Sequence, residues 1–463
     1  MAFADLREFI AALEKAGELC RVRKQVNPRY ELAAVIERTL AARGPVLLFE
    51  NVEGSTMPLF NNPFISRRHV AFALGWEEKD LLKRWLACLE KPLTPVLVDS
   101  GPCKDVRVPA PDLTRFPVPV MWHDGDHGPY ITFAQCITKD PETGRRNVGI
   151  YRIEIMGPRR VGVSFAYTHH GAVNQRKSEM LGKDCEFALV IGTEPACYLA
   201  SQATVGHGED EYGLAGALSG KPVELVRCET VDLQVPAHAE IVIEGRILAN
   251  VREDEGPFGE WTGFVSGRSP HPVGEVTYLS HRKDPIYNVT YEGYPVYGPT
   301  NILQSVAREP EWFRAIRSQI CPTITDIHFT IGGCAGFIVI VSIRKTVEGQ
   351  AKNVILDLLR EPGVKIAIVV DEDIDIRNMD TVQWALATRM QPASDLIMIP
   401  EAACNRLDPS QPNFPSGVGS KMGIDATWPI DKKTIPPYAT VPKDIAERVA
   451  GMWQSYGIPA GRA

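Results

Sequence analysis

Two glutamates five positions apart, in Glu255-Gly256-Pro257-Phe258-Gly259-Glu260, are the residues whose type and spacing most directly suggest chemistry. On a straight strand an odd spacing puts two side chains on opposite faces. The two glycines and the proline between them favour a tight bend that swings both carboxyls toward one point. Burial and mutual repulsion then drive the two pKa values apart, as acid/base work requires. The same residues also fit a solvated acidic turn, and Arg252-Glu253-Asp254 upstream agrees with that reading.

A second candidate is Asn147-Val148-Gly149-Ile150-Tyr151-Arg152, a predicted strand after the turn Pro141-Glu142-Thr143-Gly144. Alternation puts Asn147, Gly149 and Tyr151 on one face and Ile150 with Arg152 on the other. An arginine in so apolar a strand wants a carboxylate or a phosphate for its planar fork. An edge-strand salt bridge with Glu154 is the alternative. Thr168-His169-His170-Gly171 and Glu209-Asp210-Glu211-Tyr212 add imidazole and carboxylate donors. With an asparagine oxygen they would suit a hard or borderline divalent ion, although spacing alone does not bring 147, 170 and 211 together.

Gly417-Val418-Gly419-Ser420-Lys421-Met422-Gly423 reads as a glycine-rich loop with one lysine, apt for approach to a phosphate. It lacks the spacing of a Walker loop, and a surface turn explains it equally. Asp371-Glu372-Asp373-Ile374-Asp375 begins like a calcium loop, but Ile376 stands at the turn glycine and Val382 at the closing acid. Cys334 has no histidine nearby in sequence and reads as a small buried residue.

The elements that must hold these residues fall into three blocks. Residues 1 to about 97 alternate helix and strand, with helices from Leu6, over Glu31 to Ala42 and over Asp80 to Leu89, and a strand at Val46 to Phe49. A proline-rich connector follows. From about 130 to 305 many short strands suggest a barrel or closed sandwich, interrupted mainly by a helix at Tyr212 to Leu218. Beyond about 308 alternation returns, with strands at Gly336 to Ile343, Val364 to Val370 and Asp395 to Ile399, and helices at Glu311 to Ile320, Ala351 to Leu359 and Thr381 to Thr388. That pattern predicts a largely parallel sheet. A tail helix over Lys443 to Trp453 carries an Ile445, Val449 and Met452 stripe that fits a partner subunit or its own domain.

Composition excludes several classes. A net charge of −7 leaves no basic field for nucleic acid or anionic membrane. No apolar run is long enough to span a bilayer, and the charged start does not read as a signal peptide. Ten scattered cysteines without a CxxC pair suit reduced thiols, so a cytoplasmic protein is expected.

These pieces, in this order, resemble the UbiD-like decarboxylases, which use prenylated FMN. The likeness runs from about residue 5 to 430. It rests most on Asn147 to Arg152, Glu255 to Glu260 and Ser420-Lys421-Met422-Gly423-Ile424-Asp425-Ala426-Thr427. The resemblance implies reversible, non-oxidative decarboxylation of an aromatic, heteroaromatic or α,β-unsaturated acid, with CO2 lost from a cofactor adduct and Glu260 protonating the vacated carbon. It implies a divalent ion, Mn2+ or Mg2+, on Asn147, His170 and Glu211, with K+ nearby; His169 and His170 are adjacent, and either fits the ligand position. Val148, Gly149, Ile150, Tyr151, Arg152 and His169 would line the flavin, Lys421 would reach its phosphate, and Arg152, Glu255 and Glu260 would form the catalytic network. The implied fold class is α/β with a central β-rich part: an N-terminal α/β domain (1–110), a split-barrel flavin domain (111–307) and a C-terminal α/β oligomerisation domain (308–463). A flavin prenyltransferase would supply the cofactor, and a homodimer or homohexamer is expected.

Rival readings are a flavin oxidoreductase, a non-catalytic cofactor-binding subunit of a larger complex, and a metal hydrolase. No GxGxxG follows a predicted strand, which weighs against the first. The mass and spectrum of any bound cofactor separate them.

Overall fold

The computed structural model describes residues 3–122, 128–203, 205–206, 209–431 and 435–458. Among them the largest element is a nine-stranded sheet. Its path runs through Tyr130–Ile131, Ile153–Ile155, Arg160–Val163, Ser269–His281, Ile241–Glu255, Cys185–Ile191, Gln135–Lys139 and Arg146–Ile150, with Val106–Val108 added beside Ser269–His281. Every pairing in it is antiparallel.

The ends of that path explain its shape. Arg146–Ile150 closes one end and Ile153–Ile155 lies next to the other, yet only Tyr151 and Arg152 separate them in the chain. Six strand spacings laid flat would hold them roughly 29 Å apart. Three residue steps reach at most about 11 Å. The sheet therefore curls until its ends nearly meet, and Arg152 sits at the seam. The expected alternation stops there: Arg152 belongs to a two-residue break and not to a strand. The hairpin expected from Pro141 to Gly144 is present, pairing Gln135–Lys139 with Arg146–Ile150.

Both faces of the curled sheet are covered. Along Cys185–Ile191, Phe187, Leu189 and Ile191 enter one apolar cluster while Ala188 and Val190 enter another. This is period-two alternation in a strand that reads as a continuous apolar run because both sides are buried. Three helices lie against the sheet, His170–Met180, Pro195–Gln202 and Glu211–Ser219. The sequence reading named only the last. His170–Met180 carries no apolar stripe to announce itself.

Residues flanking the curled sheet build two more. Leu19–Val22, Val46–Phe49, Leu59–Asn61 and Tyr287–Val289 form a four-stranded sheet. Its last strand was expected within the central β block; instead it runs parallel to Leu59–Asn61. A five-stranded sheet follows the order Ile324–Phe329, Ile338–Ile343, Ile366–Asp371, Val418–Ala426, Leu396–Ala403. Its inner strands are parallel, as expected, and both edges are antiparallel. Val418–Ala426 corrects the glycine-loop reading. Gly423 is there for packing, since a Cβ on it would stand 2.1 Å from the Ile355 side chain.

The helix expected at Glu311 spans Pro299–Gln319, with Pro310 inside it reading falsely as a start. It ties the sheets together through Glu309, which is 1% exposed. Arg67 donates to both its oxygens at 2.8 and 2.9 Å, His328 Nδ1 lies 2.9 Å away and Arg377 3.3 Å. Burial alone would raise the Glu309 pKa, but Arg67, His328 and Arg377 outweigh it and hold it near 2. The folded pKa lies below the unfolded value, so this stabilisation is full above about pH 4.5 and is lost as pH falls through the folded value. Glu309→Ala should leave three basic groups short of a partner, lower stability by about 3–5 kcal/mol at neutral pH and weaken the acid-side loss, read by thermal melting from pH 7 down to about 2.

Candidate active site

Glu255 ends the fifteen-residue strand Ile241–Glu255 and is 0% exposed. Gly256 follows at φ +97°, where a side chain is strained, and a Cβ there would stand 2.7 Å from the Gly267 carbonyl. Gly259 is required by contact: its Cβ would meet the Trp122 indole at 2.4 Å. The chain then turns, with the Glu260 amide donating to the Phe264 carbonyl at 2.9 Å. The bend expected between the two acids is thus present, and it is not a solvated turn. Glu260 is 6% exposed.

Both carboxyls converge on Arg152. Its Nε and Nη2 donate to the two Glu255 oxygens at 2.9 and 2.7 Å. Its Nη1 donates to Glu260 and, at 3.1 Å, to the Ser266 hydroxyl. Ser266 in turn donates to the Phe258 carbonyl at 3.2 Å, which holds the loop closed. The guanidinium lies 5.1 Å from the centre of the Phe258 ring, and Tyr130 and Trp122 pack on that ring edge-on. Glu154 does not pair with Arg152 as the alternative reading had it; one of its oxygens accepts from the Gly256 amide at 3.3 Å.

One arginine thus serves two buried carboxyls. Burial pushes the Glu260 pKa up, Arg152 opposes this, and Glu255 adds to the rise. Burial alone would lower the Arg152 pKa, but Glu260 and Glu255 raise it above its ordinary value. Glu260 is therefore held toward its protonated form within a fixed ion cluster. A third acid stands in the same field. Glu292, half-buried after Tyr287–Val289, is raised to about 8 by burial and by Glu260, with Arg152 and a Thr300 hydrogen bond opposing. The sequence reading missed Glu292, Ser266 and Tyr130, because single residues in loops and short strands carry no spacing signal.

The other candidates meet around Tyr151. Its hydroxyl leans over Gly149, where a Cβ would sit 2.5 Å away, and it interacts with Asn147, the Gly171 backbone and Glu211. The Tyr151 and His169 rings are 5.7 Å apart. His169 caps the helix His170–Met180 and is exposed with Tyr167 and Thr168, so this edge of the site is open. Glu211 opens the helix Glu211–Ser219 and is 4% exposed; burial raises its pKa to about 8. Glu211 Oε2 and Asn147 Nδ2 are buried without a hydrogen-bond partner. The two ends of an asparagine amide are interchangeable by a flip, so Asn147 can equally present its oxygen. Among the described residues no three His, Cys, Asp or Glu side chains gather as a metal site. The implied set needs only two such side chains besides Asn147, and a buried carboxylate oxygen without a hydrogen-bond partner fits a cation.

Lys421 stands elsewhere. It lies on Val418–Ala426, 2% exposed, and donates to the Leu359 and Glu361 carbonyls at 2.7 and 2.6 Å. It caps the end of the helix Gln350–Leu359, and one ammonium N–H remains for another acceptor. Lys421→Met should orphan both carbonyls and cost about 1–3 kcal/mol, read as a fall in melting temperature with and without FMN. Cys334 is half-buried in left-handed backbone at φ +55°, and burial raises its thiol pKa, which agrees with an inert cysteine.

Three domain models of 3-octaprenyl-4-hydroxybenzoate carboxy-lyase match in succession: the N-terminal domain at residues 10–89, the Rift-related domain at 96–295 and the C-terminal domain at 301–426. The chain belongs to the UbiD family. Among UbiD-class structures it is similar to HmfF from Pelotomaculum thermopropionicum in complex with FMN, at 40% identity and TM-score 0.88, covering 96% of this chain and 98% of that one. An evolved dimeric form of the same enzyme, in complex with prFMN, matches at 37% identity and TM-score 0.86, covering 97% and 100%. Vanillic acid decarboxylase from Sedimentibacter hydroxybenzoicus, in closed form, matches at 31% identity and TM-score 0.88, covering 98% and 99%. The curled sheet with its flanking α/β parts is thus the UbiD-family architecture, as the resemblance implied. Among the described residues no helix is long and apolar enough to cross a membrane.

Proposed function

We propose that this UbiD-family chain decarboxylates an aromatic, heteroaromatic or α,β-unsaturated carboxylic acid with prenylated FMN bound beside Arg152. The observation that carries this reading is the Arg152–Glu255–Glu260 cluster, buried at the seam of the curled sheet and next to an open edge. When bound, the cofactor supplies a sink for the electron pair that CO2 leaves on carbon. Val148 to Arg152 and His169 would line it, and Asn147, His170 and Glu211 would hold Mn2+ or Mg2+ against its phosphate. The third N–H of Lys421 is what remains for that phosphate.

The protein's own groups divide the remaining work. Four of the five Arg152 N–H donors are engaged by Glu255, Glu260 and Ser266, leaving one for the substrate carboxylate. Arg152 therefore draws that carboxylate mainly by charge. Glu255, gripped at both oxygens, fixes the arginine. Glu260, held toward its neutral form, delivers a proton to the carbon that has lost CO2 and is reprotonated from solvent.

The tail helix Lys443–Gly451 buries none of its residues, and Met452, Trp453 and Tyr456 beyond it are each about half exposed. That fits docking in a homodimer or homohexamer.

The reading is tested by loading the protein with prenylated FMN or with FMN and measuring CO2 release across a panel of aryl, heteroaryl and acrylic acids. Turnover only with prenylated FMN is expected. Nicotinamide oxidation with plain FMN would favour the oxidoreductase, and flavin binding without any turnover the carrier subunit.

A further inference from the structure

The Arg152 cluster has one more polar neighbour, which takes no part in the scheme above. Glu255 stands opposite Ser269 and Glu253 opposite His271, across the pairing of Ile241–Glu255 with Ser269–His281. Positions two apart share a face of a strand, so Glu255 and His271 are diagonal neighbours, a separation that long side chains bridge. His271 Nε2 lies 3.6 Å from Glu255 Oε2, the oxygen that also accepts from Arg152 Nη2 at 2.7 Å. The Ser269 hydroxyl lies 3.1 Å from the same ring nitrogen. Pro270 and Pro272, on either side of His271, fix the backbone φ there.

Glu255 is 0% exposed, and its stem reaches over to Arg160–Val163, where a Cβ on Gly162 would stand 3.3 Å from its Cγ. The His271 side chain keeps 20% of its surface in water. A base thus links solvent to the buried carboxylate. The other charges around it have partners of their own. Arg160 holds Glu253, Arg252 donates to Glu179 at 2.7 Å, and Arg268 lies 3.7 Å from Asp254. Burial lowers the His271 pKa; Glu255 opposes this, and Arg152 and Arg252 add to the fall. The ring of the free protein is therefore neutral at pH 7.

One arginine already faces two carboxyls here. A substrate carboxylate adds a further negative charge to the same guanidinium, and added negative charge favours the charged form of a nearby base. We propose that His271 is a positioning residue of this site: it takes a proton from water when a carboxylate binds at Arg152, and the imidazolium then balances Glu255 so that Arg152 can hold the ligand. The proton adds to the unprotonated ring nitrogen, and no other bond forms or breaks. His271 acts through Glu255 and Arg152, not by contact with the substrate. This deepens the decarboxylase reading and rests on it for the anion.

The test is binding of benzoate, nicotinate and cinnamate to the FMN-loaded protein. Flavin fluorescence from pH 5 to 8 gives dissociation constants, and calorimetry in buffers of different ionisation enthalpy counts protons. Because the ligand raises the His271 pKa, the wild type should take up protons on binding. Its dissociation constant should rise with pH, by up to about 10-fold per unit, between the free and the ligand-bound pKa of that ring. His271→Gln keeps an N–H for Glu255 and Ser269 but does not titrate. It should lose the uptake and flatten the rise, at an unchanged melting temperature. His271→Lys, a cation throughout, should bind at pH 8 as tightly as the wild type does at pH 5. Glu260→Gln removes the other group able to take the proton and should keep the uptake. Wild-type uptake in His271→Gln, or its disappearance in Glu260→Gln, overturns the proposal. So does an equal loss of affinity at every pH in His271→Gln, the signature of a structural role. If no acid binds at any pH and none is turned over with prenylated FMN, the decarboxylase reading fails and the proposal falls with it.

Discussion

Glu260→Gln should bind flavin as the wild type does and lose at least ~10²-fold in kcat, toward the upper range for a general acid of about 10⁴-fold. The substitution is close to isosteric, and the amide oxygen can still accept from Arg152 Nη1. What disappears is the exchangeable carboxyl proton. The flavin spectrum and melting temperature should therefore stay near the wild-type values while CO2 release collapses. A pH profile carries the same content. Burial and Glu255 raise the Glu260 pKa despite Arg152, so the protonated form persists above the usual carboxylate range. Because the protonated form is the donor, the wild-type rate should fall on the alkaline side as Glu260 ionises. An equally active Glu260→Gln enzyme would remove Glu260 from the chemistry.

Arg152→Ala should be the most damaging single change in both stability and turnover. It leaves Glu255, 0% exposed, and Glu260, 6% exposed, without their shared counter-charge. Breaking a buried ion pair by removing one partner costs about 3–5 kcal/mol, unless a carboxyl takes up a proton to relieve it. That relief gives a readout beyond simple unfolding. The variant should recover more stability than the wild type as pH falls, because Arg152 no longer opposes the rise of the Glu260 pKa. Arg152→Lys keeps the charge but cannot reach both Glu255 oxygens and Glu260 in one plane, so stability should return in part and turnover should not. Thermal melting between pH 5 and 8, with CO2 release on the same samples, reads both.

Much of this site was legible in the sequence, for identifiable reasons. Glycine and proline between Glu255 and Glu260 announced a bend, and Gly256 at φ +97° is where that bend needs a glycine. The hairpin at Pro141 to Gly144 announced the strand that leads into Arg152. The position of Arg152 at the seam was not legible. It follows from pairing across a hundred residues, between Ile153–Ile155, Arg160–Val163 and Ser269–His281, which local periodicity does not encode. Lys421 shows the opposite failure. Three glycines around it suggested a loop, but Gly423 is small because Ile355 packs on it, and the segment is a strand. Glu292 was passed over because a lone acid beside glycine and proline looks like any surface turn. Only the fold puts it in the field of Glu260.

The most direct test of the central claim is to run the reaction in D2O with the enzyme loaded with prenylated FMN, and to locate deuterium in the product by NMR. One deuteron per turnover at the carbon that carried the carboxylate is expected in the wild type, with neither CO2 nor deuterated product from Glu260→Gln beyond the residual rate. Deuterium incorporated by Glu260→Gln at the wild-type rate would contradict the assignment of Glu260 as the proton donor of this site.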